Sequence, residues 1–356
     1  MSKRIQSFFQ PIPKKPKLEP SSPDPSQPSN PLNIQHQLHQ QEQEQQEEKQ
    51  EEQPPPPPTN HQTYPFPIPN LPPHLSKALT NISTALNPPK PITNHPHLDL
   101  LYFQPLLPPQ TANTLFHFLR TSLPFYKVQY TIRRGKTPTK ITTPRFTTVF
   151  GVDATSTFTT STSTTTPTPT PTLLDTKTHN PIPKSKYKCH PRPIPPCLDH
   201  LRQVIQSVTK TPQDYYNFIL INYYASNTDS ISYHSDDERF LGPNPSIASL
   251  SLGAKRDFLL KHKPGVEAGP PLKFPLASGD MVVMRGETQA NWLHSIPKRA
   301  GESEGRINVT FRRALVVGGT ENYYRYNVGD GGVWRWNDTK GRMVSVDEEG
   351  EGIGSE

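Results

Sequence analysis

"RINVTFRR", residues 306–313, alternates polar and apolar side chains over most of its length. Successive side chains of an extended strand point to opposite faces, so this alternation predicts a strand with two different faces. The polar face carries Arg306, Asn308, Thr310 and Arg312, and the apolar face carries Ile307, Val309 and Phe311. Two guanidinium groups beside a sheet core cost free energy unless an anion or acid compensates them. Since the arginine fork suits a carboxylate, a dicarboxylate ligand would explain both arginines. A solvated edge strand is the alternative.

Segments of strand character precede this stretch from residue 217 onwards, and Gly, Pro, Asn and Asp separate them. They are NFILINYY (217–224), SISYH (230–234), IASLSLG (247–253), RDFLLKHK (256–263), LKFPLA (272–277) and GDMVVMRG (279–286). Residues 110–125 and 197–210 have apolar residues at helical spacing. We therefore predict an α+β fold, with a jelly-roll (double-stranded β-helix) core and supporting helices.

"ISYHSDDERF", residues 231–240, combines a histidine with three consecutive acids. His234 and Asp236 are separated by one residue, so in an extended segment they share a face. His294, in "QANWLHSIPKR", is a candidate third ligand. Two histidines and one carboxylate bind iron on one side and leave three positions open. Exposed His-x-Asp pairs are common, and a solvated acidic turn is the alternative for this pair alone.

Together, these motifs resemble the AlkB family of iron(II)/2-oxoglutarate dioxygenases, in particular its eukaryotic DNA-repair branch. The resemblance covers roughly residues 98–315. The segments that carry it are HSDDE (234–238), IASLSLGAKRDF (247–258), GETQANWLHSIPK (286–298) and RINVTFR (306–312). "TPRFTTVFG" (143–151) is similar to the substrate-side segment of the family, which contributes to nucleotide recognition.

The resemblance implies a role for each matched residue. His234, Asp236 and His294 would bind iron and form the catalytic centre. Arg306, helped by Tyr224, would bind the distal carboxylate of 2-oxoglutarate. The rest of that pocket would be formed by Asn222, Asn308, Thr310 and Arg312. Asp237 and Glu238 would lie at its mouth, near the target base. With dioxygen, 2-oxoglutarate would be decarboxylated while an N-methyl group on a base is hydroxylated and lost as formaldehyde.

The charge distribution favours a nucleic-acid partner. Residues 90–345 contain 31 Lys and Arg against 18 Asp and Glu, and no acid lies between Asp99 and Asp153. A surface of one sign attracts phosphates, although it also serves solubility. We expect Arg145 and the other basic residues of 127–145 to bind the backbone and Tyr126 and Tyr130 to stack on bases. Phe146 and Phe150 are more typical of core residues. Alkylated DNA is the expected partner, and RNA is the alternative.

The ends of the chain have a different composition. Of 45 prolines, 37 lie in residues 1–200. We expect residues 1–97 to be disordered, residues 98–345 to form the dioxygenase domain with a Thr/Pro-rich insert at 154–187, and the acidic tail 346–356 to be disordered. "SKRIQSFF" (2–9) resembles a sliding-clamp peptide through Ile5, Phe8 and Phe9, although serine stands where the usual glutamine is. "PKKPK" (13–17) predicts nuclear import.

Several classes are not favoured. No apolar run is long enough to predict a membrane helix, and the two cysteines, Cys189 and Cys197, are too few for a disulfide framework. We expect a monomeric nuclear enzyme.

Overall fold

The computed structural model describes residues 58–83, 87–134, 137–159, 172–266, 269–301, 304–329 and 331–347. In these ranges the α-helices are α1 (Pro73–Thr80), α2 (Pro109–Ser122), α3 (Pro196–Thr209), α4 (Thr288–Asn291) and α5 (Val317–Asn327). The strands up to the long insert are β1 (Lys90–Ile92), β2 (Asp99–Phe103), β3 (Phe125–Tyr126), β4 (Gln129–Arg134), β5 (Thr137–Thr142), β6 (Phe146–Gly151), β7 (Ser156–Thr159) and β8 (Thr172–Asp175). Those that follow are β9 (Phe218–Tyr224), β10 (Ile231–His234), β11 (Ile247–Gly253), β12 (Arg256–His262), β13 (Leu272–Leu276), β14 (Met281–Arg285), β15 (Trp292–Ile296), β16 (Arg306–Arg312), β17 (Val333–Asn337) and β18 (Arg342–Ser345).

Ten antiparallel strands form the main sheet, in the order β1-β2-β14-β11-β16-β9-β6-β3-β17-β18. Strand β16 lies near its centre, between β11 and β9. Its two faces differ as the alternation predicts, because Ile307, Val309 and Phe311 join a buried apolar cluster with residues of α1, α2 and α3. The polar residues of β16 face the other way and line a cavity.

A smaller sheet, in the order β10-β15-β12-β13, faces that polar side. Apolar residues of both sheets, such as Phe258, Trp292 and Leu220, pack between them in a second buried cluster. Two antiparallel sheets packed face to face, with helices on the outside, form the jelly-roll core that we predicted, so the fold class is confirmed. The register pairs His234 of β10 directly with His294 of β15.

The crossing between the sheets depends on glycine. Gly253 ends β11 just before β12 begins in the smaller sheet, and its φ is 83°. A Cβ there would lie 2.6 Å from the carbonyl oxygen of Gly305. Both the left-handed backbone and this close approach exclude other residues without a local shift.

The helices follow the predicted patterns. Proline occupies the first turn of both α2 and α3, where its missing N–H costs no hydrogen bond. Leu115 and Leu119 of α2 and Leu201 of α3 are fully buried against the main sheet. The helical segments predicted at 110–125 and 197–210 are therefore confirmed.

One predicted boundary is corrected. Ordered structure begins before residue 98, because Tyr64, Ile68, Leu75 and Leu79 pack into the buried apolar cluster between the main sheet and helices α1, α2 and α3. We call this cluster the helix-side core. These four residues are separated by prolines and polar residues, which hid a short buried helix. The described parts of the insert predicted at 154–187 contain regular structure: β7 pairs with β8, and the buried Asp153 accepts a hydrogen bond from Tyr187 at 2.6 Å.

Other parts of the terminal predictions lie outside the described residues. These are residues 1–57, which include the clamp-like peptide and the basic PKKPK segment, and residues 348–356 of the tail. Within the described ranges, no helix has the length and apolar character needed to cross a membrane.

Candidate iron and co-substrate site

The predicted metal ligands come together between the two sheets. One ligand atom from each of His234, Asp236 and His294 lies within 4.8 Å of the others. The register of β10 against β15 determines this proximity, and the two imidazole rings lie 4.2 Å apart between centroids. Two imidazoles and one carboxylate converging on one point form the donor set that suits iron(II), with open positions for other ligands.

Second contacts orient two of these ligands. The carbonyl of Ser232 lies 2.9 Å from Nδ1 of His234. A carbonyl only accepts, so Nδ1 carries the proton and Nε2 keeps its lone pair for a metal. The backbone N–H of Asp236 donates to Oε1 of Gln289 at 2.8 Å. Gln289 itself is almost fully buried.

The electrostatics favour the metal-binding protonation states. Burial by itself raises the pKa of Asp236, but Arg312 and the two histidines stabilise its charge, and the net pKa falls to about 2. Burial lowers the pKa of His294 to about 3, with a further contribution from His234. At neutral pH Asp236 is therefore a carboxylate and His294 a neutral imidazole, and neither must lose a proton to bind a metal.

Arg306 has donors free for an anion. Its guanidinium is fully buried, and burial lowers its pKa to about 10. Nη2 donates to Oγ of Ser251 at 2.8 Å, whereas Nε and Nη1 have no hydrogen-bond partner. The ring of Tyr224 lies 5.5 Å from the guanidinium carbon. A buried guanidinium with two unpaired donors requires an acceptor group, and a carboxylate matches its geometry.

Arg312 has a different role from Arg306, although both lie on one face of β16. Its Nη2 donates to Oδ2 of Asp236 at 2.8 Å. The two groups are almost completely buried, so the interaction is little screened by solvent. Nε and Nη1 of Arg312 also have no partner. Arg312 therefore holds the metal carboxylate in place and keeps further donors beside it.

The remaining polar residues of the predicted co-substrate pocket all line the cavity, but they are partly bonded to the fold. Asn308 donates to Oγ of Ser249 at 2.8 Å, and Thr310 donates to the carbonyl of Leu220 at 2.8 Å. Oδ1 of Asn222 accepts from Nε of Arg145 at 2.7 Å. Arg145 therefore links the predicted substrate side to the predicted co-substrate side.

The cavity around these residues has a volume of about 2170 Å³. Small-ligand pockets usually measure about 300–1,000 Å³. This cavity therefore has room for a second, larger ligand beside a dicarboxylate. Its walls come from both sheets, from the β4–β5 hairpin and from α5.

Of the two acids predicted at the mouth, only Glu238 lines the cavity. Its Oε1 accepts from the hydroxyl of Tyr323 at 2.9 Å, and its buried Oε2 has no partner. Burial and the nearby Asp236 raise the pKa of Glu238. Asp237 instead pairs with Nζ of Lys263 at 2.5 Å and is half exposed. Asp237 therefore does not line the cavity as Glu238 does, since this turn directs consecutive side chains to different sides, and its contact with the target base stays a prediction.

The predicted base-stacking residues separate into two groups. Tyr130 is 37% exposed at the cavity mouth, whereas Tyr126 is buried in the wall and its hydroxyl accepts from Arg192. Phe146 and Phe150 belong to the helix-side core, as their pattern indicated.

Three residues of the site were not found from the sequence: Ser251, Gln289 and Tyr323. Ser251 has the one available signal, since it shares a strand face with Ser249. The side chain of Tyr323, on α5, also lies 5.0 Å from the guanidinium of Arg312. The aromatic-rich sequence of residues 318–336 predicts only that this segment packs on the domain.

Comparison with known proteins gives a family match over residues 99–312, to the model described as the 2OG-Fe(II) oxygenase superfamily. The DNA oxidative demethylase ALKBH2 of Arabidopsis thaliana is 38% identical over 136 residues, which are 32% of this chain and 43% of that protein. The protein of the same name from Homo sapiens is 39% identical over 132 residues, 36% of this chain and 49% of the relative.

A third relative is the alpha-ketoglutarate-dependent dioxygenase alkB homolog 3 of Rattus norvegicus. It is 44% identical over 103 residues, 27% of this chain and 35% of the relative. The chain thus spans half or less of the length of these three relatives. The predicted resemblance to AlkB-type dioxygenases is confirmed.

Proposed function

The chain belongs to the 2OG-Fe(II) oxygenase superfamily, and from that premise we propose that it removes N-methyl groups from alkylated DNA bases of the 1-methyladenine and 3-methylcytosine type. The alternative is the same chemistry on RNA or another substrate. One observation carries the proposal: the His234, Asp236 and His294 cluster shares a cavity with the unpaired donors of Arg306. The similarity to proteins named DNA oxidative demethylase supports the substrate class.

The residues present fit the cofactor and co-substrate that the family name implies. His234, Asp236 and His294 would hold iron(II), and Arg306 would bind a carboxylate of 2-oxoglutarate through Nε and Nη1. When bound, iron(II) and 2-oxoglutarate activate dioxygen, and this supplies the oxidation of an unactivated C–H bond. The hydroxylated N-methyl group then leaves as formaldehyde and restores the base.

The protein's own contribution is binding and positioning. Arg312 fixes the carboxylate of Asp236, and Gln289 fixes its backbone. A base inside a duplex cannot reach a buried metal, so the target must leave the stack. This costs a few kcal/mol and is least for a damaged base that pairs poorly. In the cavity, the free Oε2 of Glu238 is the acceptor available to a donor group on the base.

The direct test incubates the full chain with methylated oligonucleotides, iron(II), ascorbate, 2-oxoglutarate and dioxygen. We expect formaldehyde release from 1-methyladenine and 3-methylcytosine, and its abolition in His234→Ala and Asp236→Ala. The matched control is His200→Ala, because His200 lies on α3 outside the cavity. If no strand type is repaired while 2-oxoglutarate is still decarboxylated, the substrate proposal is wrong and the oxygenase proposal stands. Faster repair of RNA than of DNA oligonucleotides would favour the alternative.

The N-terminal predictions remain proposals on residues outside the described ranges. Ile5, Phe8 and Phe9 would bind a sliding clamp, and residues 13–17 would direct the protein to the nucleus. Deleting residues 1–9 should remove clamp binding in a pull-down with purified clamp, and unchanged binding would contradict it. Mutating the three lysines of the segment should shift a tagged protein out of the nucleus. A mass of one chain in light scattering would support the proposed monomer.

A further inference from the structure

Exposed large apolar side chains are concentrated at the cavity mouth. In the described part of the chain there are four of them: Tyr130, Tyr233, Val316 and Tyr326, each 36–49% exposed. All four line the same cavity. Such a concentration marks a binding surface, whereas single exposed apolar residues scattered over a surface need no explanation.

Two of these tyrosines join separate elements of the mouth. The ring of Tyr130, on the β4–β5 hairpin, meets the ring of Tyr326, on α5, edge to face at 6.1 Å between centroids. An edge-to-face contact uses the edge of one ring, and both rings remain more than a third exposed. The two rings therefore form one aromatic cluster at the mouth, and each keeps exposed surface for a ligand.

The segment that carries Tyr326 is held firmly. The hydroxyl of Tyr324, in the same helix, donates to the carbonyl of Gly151 at 2.7 Å and accepts from the N–H of Arg192 at 2.8 Å. Thr147 donates to the carbonyl of Asn327 at 2.7 Å. Helix α5 lies after the family match, which ends at residue 312. An anchored aromatic wall thus comes from residues outside the matched segment.

Cations accompany the rings. Lys127, Arg145, Lys188, Arg239 and Arg325 line the cavity, and none forms an ion pair with a described carboxylate. The guanidinium of Arg325 lies 5.8 Å from the ring of Tyr326. The two acids that line the cavity, Asp236 and Glu238, are already bonded inside it, to Arg312 and Tyr323. The mouth is thus positively charged and complementary to phosphates.

We propose that this rim, defined as Tyr130, Tyr326, Arg325 and the neighbouring cations, binds a single strand of nucleic acid on either side of the target base. Bases next to the target stack on Tyr130 and Tyr326, and the backbone runs along the cations. Proteins that bind single strands combine stacking rings with a basic groove in this way. A duplex fits less well, because its base faces are covered by their neighbours. The inference rests on the proposed function, since it assumes that the cavity receives a nucleobase.

The test measures fluorescence anisotropy of a labelled unmodified oligonucleotide with the full chain. Tyr326→Ala and Tyr130→Ala should each weaken binding of the single strand by roughly 5- to 100-fold, the usual loss for one stacked base. The Phe variants should bind within about three-fold of the parent, because they keep the ring. Tyr215→Ala is the matched control, since that tyrosine also lies under an arginine, Arg313 at 5.0 Å, but outside the cavity.

Two further arms separate stacking from charge and single strands from duplexes. A fully abasic oligonucleotide should bind the parent as weakly as the Tyr130→Ala/Tyr326→Ala double variant binds the normal strand. Arg325→Ala should reduce the slope of log affinity against log salt by about 0.7, as expected for one phosphate contact on a single strand. A duplex of the same sequence should bind the parent more weakly than the single strand.

Affinity unchanged in both alanine variants would overturn the proposal, and so would a duplex bound at least as tightly as the single strand. Thermal melting of each variant checks that the loss is not a folding defect. Because binding is measured on unmodified strands, the result is independent of turnover. Lack of formaldehyde release by the parent would refute the proposed function. The anisotropy would still show whether the rim binds a single strand.

Discussion

At the residue scale, two arginines on one face of one strand have different tasks. Arg306 lies beside Ser251 and keeps two buried donors unpaired, whereas Arg312 is already paired with Asp236. The difference follows from their neighbours, because Arg306 has no described carboxylate in ion-pair contact. A buried cation in that state is stable enough to fold but gains most from an anionic ligand.

Arg306→Lys should therefore weaken 2-oxoglutarate binding. Lysine keeps the charge but loses the planar fork that grips a carboxylate with two hydrogen bonds. We expect KM for 2-oxoglutarate to rise about 10- to 100-fold, less than the roughly 30- to 5,000-fold cost of truncating one side of a buried charge pair, because lysine keeps the charge. Initial rates of decarboxylation at varied co-substrate measure it. Arg285→Lys, in a half-exposed pair with Asp99, is the control and should leave KM unchanged. If KM for 2-oxoglutarate is unaltered in Arg306→Lys as well as in the control, Arg306 is not the carboxylate site.

At the element scale, α5 completes a site whose other residues come from the two sheets. Its Tyr323 contacts Glu238 and Arg312, and the ring packs on Phe218 and Phe240. A helix after the last core strand thus positions an acid at the predicted base-binding side. The adjacent Tyr324 donates to the carbonyl of Gly151, away from Glu238, and so attaches α5 to the main sheet.

Tyr323→Phe should lower kcat/KM for a methylated oligonucleotide by about 10-fold or more, since a hydrogen bond to a charged group contributes about 1.5–3 kcal/mol. Decarboxylation without substrate should not change, because Tyr323 touches neither the predicted metal ligands nor Arg306. The adjacent Tyr324→Phe is the control: it should lower the melting temperature and leave kcat/KM within about two-fold. A reversed pattern, with only Tyr324→Phe losing turnover, would contradict the positioning role. The comparison presupposes the proposed activity.

Helix α1 belongs to the fold and not to the site. Leu75 and Leu79 are almost fully buried among α2, α3 and their neighbours, and neither lines the cavity. Leu79→Ala should lower the free energy of unfolding by about 2–5 kcal/mol, through lost apolar contact and the space that is left. Urea denaturation followed by circular dichroism measures the loss. Lys77→Ala, on the exposed side of the same helix, should change it by less than about 0.5 kcal/mol. Equal effects would mean that α1 does not pack as described.

At the scale of the whole molecule, the cavity and the β7–β8 pair, which flanks the Thr/Pro segment, are separate. The flanking strands β7 and β8 pair with each other, ending at Thr159 opposite Thr172, and no residue of either lines the cavity. Joining these two threonines by Asn-Gly in place of residues 160–171 should preserve the hairpin, since such a pair favours a two-residue turn.

The shortened chain should decarboxylate 2-oxoglutarate and repair oligonucleotides at rates within about two-fold of the parent. Its melting temperature should not fall, because a shorter connection lowers the entropic cost of bringing its two ends together. A matched chain with a scrambled 160–171 segment controls for composition. Loss of repair in the shortened chain alone would show that the segment takes part in substrate binding.

The sequence by itself predicted the jelly-roll class, the helices over α2 and α3, and the cluster of two histidines and one carboxylate. These features depend on short-range patterns. Alternation along "RINVTFR" determines which side chains face the cavity, because an extended backbone has a period of two. Local spacing likewise puts His234 and Asp236 together, and the resemblance supported His294, already a candidate, as the third ligand.

Only the tertiary structure decided which acid of "SDDE" faces the cavity and which polar residues support the site. Asp237 and Glu238 are adjacent in sequence, yet a change in turn geometry sends one to Lys263 and the other to Tyr323. Gln289 and Tyr323 reach Asp236 and Glu238 across 53 and 85 residues of chain. No periodicity encodes such contacts, because they depend on how separate elements pack and not on the local backbone.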